Sequence, residues 1–88
     1  MDILDVDVSK MKFDVALLKK DHTKHGVFAN NEAGFKHLWS WLEKHRSSAA
    51  DGIHVCLEAT GNWGLDLADF LHMKGVKVSV VNPARVKA

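Results

Sequence analysis

The chain has 88 residues, room for one domain with a single core and a thin stability margin. Its hydrophobic fraction of 47% and charged fraction of 26% are ordinary globular values that exclude a disordered or fibrous chain, and no apolar run approaches the roughly 20 residues of a membrane helix. Twelve Lys and Arg against eleven Asp and Glu give a net charge of +1, so no global basic field marks a nucleic-acid binder and any such function must come from a local site.

The amino terminus carries Asp2 and Asp5 instead of a basic stretch, which argues against a secretory leader and for a soluble, cytoplasmic protein with no membrane partner. From Ile3 to Val8 residues alternate, Leu4, Val6 and Val8 on one face and Ile3, Asp5 and Asp7 on the other, as in a strand. Ser9 to Lys12 is a polar break, after which Phe13, Val15 and Leu17 resume the alternation and complete a hairpin. A weaker third strand follows, with His25, Val27 and Ala29 opposite Gly26 and Phe28; three strands with short connections form an antiparallel meander.

Asn31 is placed to cap a helix that reaches about Arg46, with Phe35, Leu38, Trp39 and Leu42 on its apolar stripe. Ser47 to Gly52 is a small, flexible connector. Ile53, Val55 and Leu57 alternate with His54, Cys56 and Glu58 in a fourth strand that ends at the turn Ala59-Thr60-Gly61-Asn62. Cys56 is the single cysteine, which excludes an intrachain disulfide and a thiolate cluster, and it reads as a buried small hydrophobe. A second helix with Leu67, Phe70 and Leu71 on one face closes at Lys74-Gly75, and Val76 to Val81 is a fifth strand. Asn82-Pro83 starts a third helix that is cut off after one turn, so a chain truncated after the fifth strand is expected.

Strands joined through helices run parallel with right-handed crossovers, which predicts an α/β fold with a mixed five-stranded sheet of order 3-2-1-4-5 and helices packed on it. Asp7 and Glu58 then lie on neighbouring parallel strands at their carboxyl ends, where open sheets bind ligands at a switch point. Two adjacent carboxylates repel and lose hydration unless a cation sits between them, and oxygen-only ligands favour Mg²⁺ or Mn²⁺. Two such ions about 4 Å apart can activate a water or hydroxyl and stabilise the leaving oxygen of a phosphodiester. Spacing alone leaves a plainer alternative open, that Asp7 starts a turn and Glu58 caps the second helix.

Five stretches carry a resemblance that spans nearly the whole chain in order. They are Asp7-Val8-Ser9-Lys10, Phe13 to Leu18, Asn30 to Phe35, Leu57-Glu58-Ala59-Thr60-Gly61-Asn62-Trp63-Gly64 and Val80 to Lys87. Together they resemble the amino-terminal region of DEDD transposases of the insertion-sequence one-ten family, close to Piv-type DNA invertases. The resemblance implies a RuvC-like RNase H fold, with residues 1–88 forming part of a catalytic domain. It makes Asp7 the first acidic residue of a metal-binding tetrad and Glu58 the second, with an aspartate pair expected beyond Ala88. It also implies DNA as the partner, a further domain supplying a serine for strand exchange, and a structured guide RNA. On this reading the chain is part of a DNA transposase or site-specific recombinase, inactive as a fragment and binding Mg²⁺ weakly or not at all. Asp5 departs from the family, which commonly has glycine there; it is either an extra outer carboxylate or a drifted position, the latter being favoured.

The competing reading is a noncatalytic RNase H-like module that binds nucleic acid or self-associates, and exposed apolar surface makes a homodimer an expectation. A sugar-kinase or actin-like ATPase is set aside because Ser9-Lys10-Met11-Lys12 lacks the glycine-rich phosphate loop. Lys10, Thr60 and Asn62 are candidate nucleic-acid contacts, the last two because their turn opens a helix. Trp41 falls off the apolar stripe and reads as exposed, whereas Trp63 reads as packed on the sheet. The six histidines show no i, i+4 pair and read as solvated, with no zinc site.

Overall fold

The computed structural model describes residues 2–46, 52–59 and 61–81. The elements in chain order are β1 (Asp2–Val8), β2 (Lys12–Leu18), β3 (Thr23–Ala29), α1 (Glu32–His45), β4 (Ile53–Ala59), α2 (Leu65–Met73) and β5 (Lys77–Val81). The helix expected from Asn82 onward and residues 47–51 of the expected connector lie outside the described residues. No described helix is long and apolar enough to cross a membrane.

The five strands form one sheet in the order β3-β2-β1-β4-β5. β1 pairs antiparallel with β2 and parallel with β4, β2 pairs antiparallel with β3, and β4 pairs parallel with β5. Both helical crossovers step the same way across the sheet, so right-handed connections put α1 and α2 on the same face. Burial agrees: Leu4, Val6, Phe13, Val15, Val55 and Leu57 share one apolar cluster with Phe35, Leu38 and Leu42 of α1 and with Leu67 and Leu71 of α2. The opposite face has no covering layer among the described residues. There Asp5, Asp7 and Glu58 are exposed, and Ile3 and Leu18 are each more than a third exposed.

Local chemistry sets the element ends. The Asn31 side chain accepts from the backbone N–H of Gly34 at 2.8 Å, and Glu32 lies at the positive end of the α1 dipole. Gly75 has a φ of +85°, the left-handed conformation that lets α2 close through Gly75 N–H to the His72 carbonyl, 3.0 Å.

The weaker third strand is present as β3, paired with β2 along its seven residues, and none of its residues is fully buried. Three readings of the sequence need correction. β5 begins at Lys77; Val76 is buried just before it in the turn out of α2. Trp41 is half-buried, its ring edge-on to Phe28 of β3 at 5.9 Å, because the flank of α1 also overhangs the sheet. Cys56 is only half-buried, since the face it shares with Asp5 is the uncovered one.

Candidate functional site

Strand alternation puts Ile3, Asp5 and Asp7 of β1 on the uncovered face, and the parallel register sets them beside His54, Cys56 and Glu58 of β4. Asp7 and Glu58 are direct partners in that ladder, one residue short of the carboxyl end of each strand. Neither does the structural work that would otherwise explain it. The β1–β2 turn is closed by Ser9, whose backbone N–H and hydroxyl both donate to the Lys12 carbonyl at 2.9 Å. The residue preceding α2 is Gly64, and no side chain caps that helix. Among the described residues, no hydrogen bond or ion pair engages the carboxylate of Asp7 or of Glu58.

On the other side of β1, Asp7 is paired with Asp14 of β2. Sequence reasoning missed Asp14, although the hairpin register that a short turn imposes was enough to find it. Lys12 donates to Asp14 at 2.9 Å, so this acid carries its own counter-ion. A shallow concavity of about 420 Å³ opens on this face, lined by Asp5, Asp7, Asp14, His25, Cys56 and Glu58 among others. Within the described residues, no three His, Cys, Asp or Glu side chains converge closely enough to form a ready metal site. His54 hydrogen-bonds Ser79 on the same face, 2.8 Å apart.

Beyond the carboxyl ends of β1 and β4, three loops are held together through Asn30. Its amide nitrogen donates to the carbonyls of Ser9 at 3.0 Å, Lys10 at 3.4 Å and Trp63 at 2.9 Å. These bonds tie the β1–β2 turn, the β3–α1 junction and the β4–α2 turn into one edge. Lys10 is exposed, with its ammonium 5.8 Å from the centre of the Trp63 ring. Asn62 is exposed in the β4–α2 turn, and its carbonyl accepts from Leu65 N–H; Thr60 lies outside the described residues. Trp63 is 47% exposed, contrary to the packed position expected for it. Its neighbour Gly64 occupies the space against the sheet instead: a Cβ there would stand 2.7 Å from Leu57 Cδ2 and 2.9 Å from Ala59 Cβ.

The sequence matches the transposase family of the DEDD, insertion-sequence one-ten type over residues 5–88. The chain belongs to the DEDD transposase family. It is 31% identical to the pilin gene-inverting protein of Moraxella bovis over 85 residues, 97% of this chain and 26% of that protein. It therefore spans about a quarter of the length of this curated relative. Solved structures give the fold independently. RuvC of T. thermophilus, in complex with a Holliday junction substrate, superposes with a TM-score of 0.64 at 13% identity, over 99% of this chain and 68% of that one. YeaZ of Pseudomonas aeruginosa superposes with a TM-score of 0.62 at 12% identity, over 93% and 45%. The RNase H-like, RuvC-like sheet is thus the scaffold of this DEDD transposase chain.

Proposed function

We propose that the chain is the amino-terminal part of an RNase H-like DNA transposase or site-specific recombinase, in which Asp7 and Glu58 present paired carboxylates to a divalent cation at a DNA phosphodiester. The observation that carries this reading is the direct β1–β4 pairing of two acids that form no turn and no cap, in a chain of the DEDD transposase family. A relative named for gene inversion and a RuvC neighbour bound to a Holliday junction support DNA as the substrate.

The two side-by-side carboxylates, open to solvent, are the oxygen donors that suit a hard cation. Asp7 and Glu58 would hold Mg²⁺ or Mn²⁺, which when bound polarises a phosphate and activates the attacking water or hydroxyl. Residues of this chain do the positioning. Hydrogen-bonded neighbouring strands fix the spacing of the two carboxylates, and Lys10, with Asn62 on the facing turn, offers polar contacts to the DNA backbone. Two carboxylates are fewer than the three or four of a two-ion centre, so affinity for Mn²⁺ is in the millimolar range and the chain alone does not cleave DNA.

Titration with Mn²⁺ followed by NMR tests this. Paramagnetic broadening is expected at the amides of Asp5 to Ser9 and Leu57 to Ala59, and is expected to vanish in Asp7→Ala and in Glu58→Ala. Broadening absent from both segments, or persisting in Asp7→Ala, removes the metal reading.

The absence of a third convergent donor among the described residues favours a second reading, a noncatalytic module that binds nucleic acid or self-associates. That reading requires DNA affinity, or a dimer in sedimentation, that is equal in EDTA and in Mg²⁺ and indifferent to Asp7→Ala.

A further inference from the structure

The Trp63 indole is large, half-exposed and mounted on a fixed backbone. Its carbonyl is held by Asn30, and the next residue, Gly64, is packed against Leu57 and Ala59, so the turn that carries the ring is fixed on both sides. The other two tryptophans, Trp39 and Trp41, pack against the core. Leaving an indole in water forgoes the burial that aromatic side chains ordinarily gain. The exposed ring stands beside a lysine, on the loop edge next to the strand ends that carry Asp7 and Glu58.

We infer that Trp63 and Lys10 form a stacking site for an unpaired or extruded nucleobase in the loops that follow the strands carrying Asp7 and Glu58. A flat π-face with an adjacent ammonium matches the two parts of a nucleotide, the base stacking on the indole and the phosphate meeting the lysine. A base inside a duplex has both faces covered by its neighbours, so the ligand is a single-stranded or branched stretch in which a base is free. Asn30 sets the geometry by holding the Lys10 and Trp63 backbones to one amide group. The inference rests on the proposed DNA substrate but not on the metal, so it is testable in EDTA.

The test uses fluorescence anisotropy of a labelled single-stranded deoxyoligonucleotide, compared with the same strand carrying abasic sites. The present chain is expected to prefer the base-bearing strand. Trp63→Ala is expected to weaken that strand roughly 5- to 100-fold, with Trp63→Phe retaining most of the affinity and neither variant changing abasic binding. Lys10→Gln is expected to weaken both strands alike and to lower the salt slope by about one phosphate contact. Circular dichroism shows whether each variant is folded. If the chain binds both strands equally, or Trp63→Ala binds as the parent does, the stacking site is wrong while the DNA reading stands. Failure to bind any DNA overturns both.

Discussion

Asp7 and Asp14 face each other across the antiparallel β1–β2 ladder, and Lys12 neutralises only the second of them, at 2.9 Å. The lysine therefore subtracts one carboxylate from the negative field that a cation at Asp7 would feel. Lys12→Met is expected to raise Mn²⁺ affinity by about two- to fivefold at low salt, a modest factor because the pair is half-exposed and screened. Asp14→Asn is expected to lower it by no more than that factor. Asp5→Gly, in the next row of the same face, is expected to change it little. Isothermal titration on the three variants checks the order; an Asp5→Gly loss as large as that of Asp7→Ala would move the site one row along the sheet.

Gly34 lies in the first turn of α1, where a Cβ would approach the Ala29 carbonyl oxygen to 1.7 Å. Replacing glycine by alanine in a helix ordinarily gains about 1 kcal/mol. Here the clash is with backbone, and Gly34→Ala is expected to lose about 2 kcal/mol or more in urea unfolding as the β3–α1 junction is forced apart. A gain in midpoint would contradict the close approach.

Asn30→Ala removes one donor group shared by three carbonyls. The expected cost is about 1–2 kcal/mol. More telling is where the change registers: NMR shifts should appear together at Ser9 to Met11 and at Gly61 to Gly64. A response in one loop alone would mean that the edge is not tied as a unit.

His45 is held below its ordinary pKa of 6.5, first by burial and then by the charges of Lys24, Lys44 and Lys19. Its proton is thus bound more tightly in the unfolded chain, so stability rises with pH across this titration. The contribution is complete above pH 6.5 and is lost as pH falls from 6.5 through the lower folded value. Urea midpoints at pH 7.5 and 5.5 are expected to differ in that direction, and His45→Gln is expected to narrow the gap. Asp21, lowered from 3.8 by its hydrogen bond to His22, acts in the same direction but below this window.

Of the fold, what was legible came from period and connection. Alternation in β1, β2 and β4 assigned Asp5, Asp7 and Glu58 to one face, and helical crossovers fixed the strand order, because both are local or topological rules. What resisted reading depended on a third dimension. Trp41 and Trp63 exchanged expected roles because a helical stripe says which residues share a face, not how far a neighbouring strand extends beneath it. Cys56 looked buried because strand periodicity cannot tell a covered face from an open one. Asp14 was overlooked although its register with Asp7 followed from the turn. The three bonds of Asn30 join segments twenty or more residues apart, which no local pattern encodes.

The parallel register of β1 with β4 has a kinetic consequence. The β1–β2–β3 meander joins residues close in sequence, whereas Asp7 meets Glu58 only after a loop of roughly fifty residues has closed. During refolding the meander can form while the acidic pair is still apart, so the two carboxylates become neighbours only in the slow, non-local step. An energetic preference for the assembled pair, such as that of a bound cation, would then speed folding to the extent that the pair is formed in the transition state and slow unfolding by the remainder.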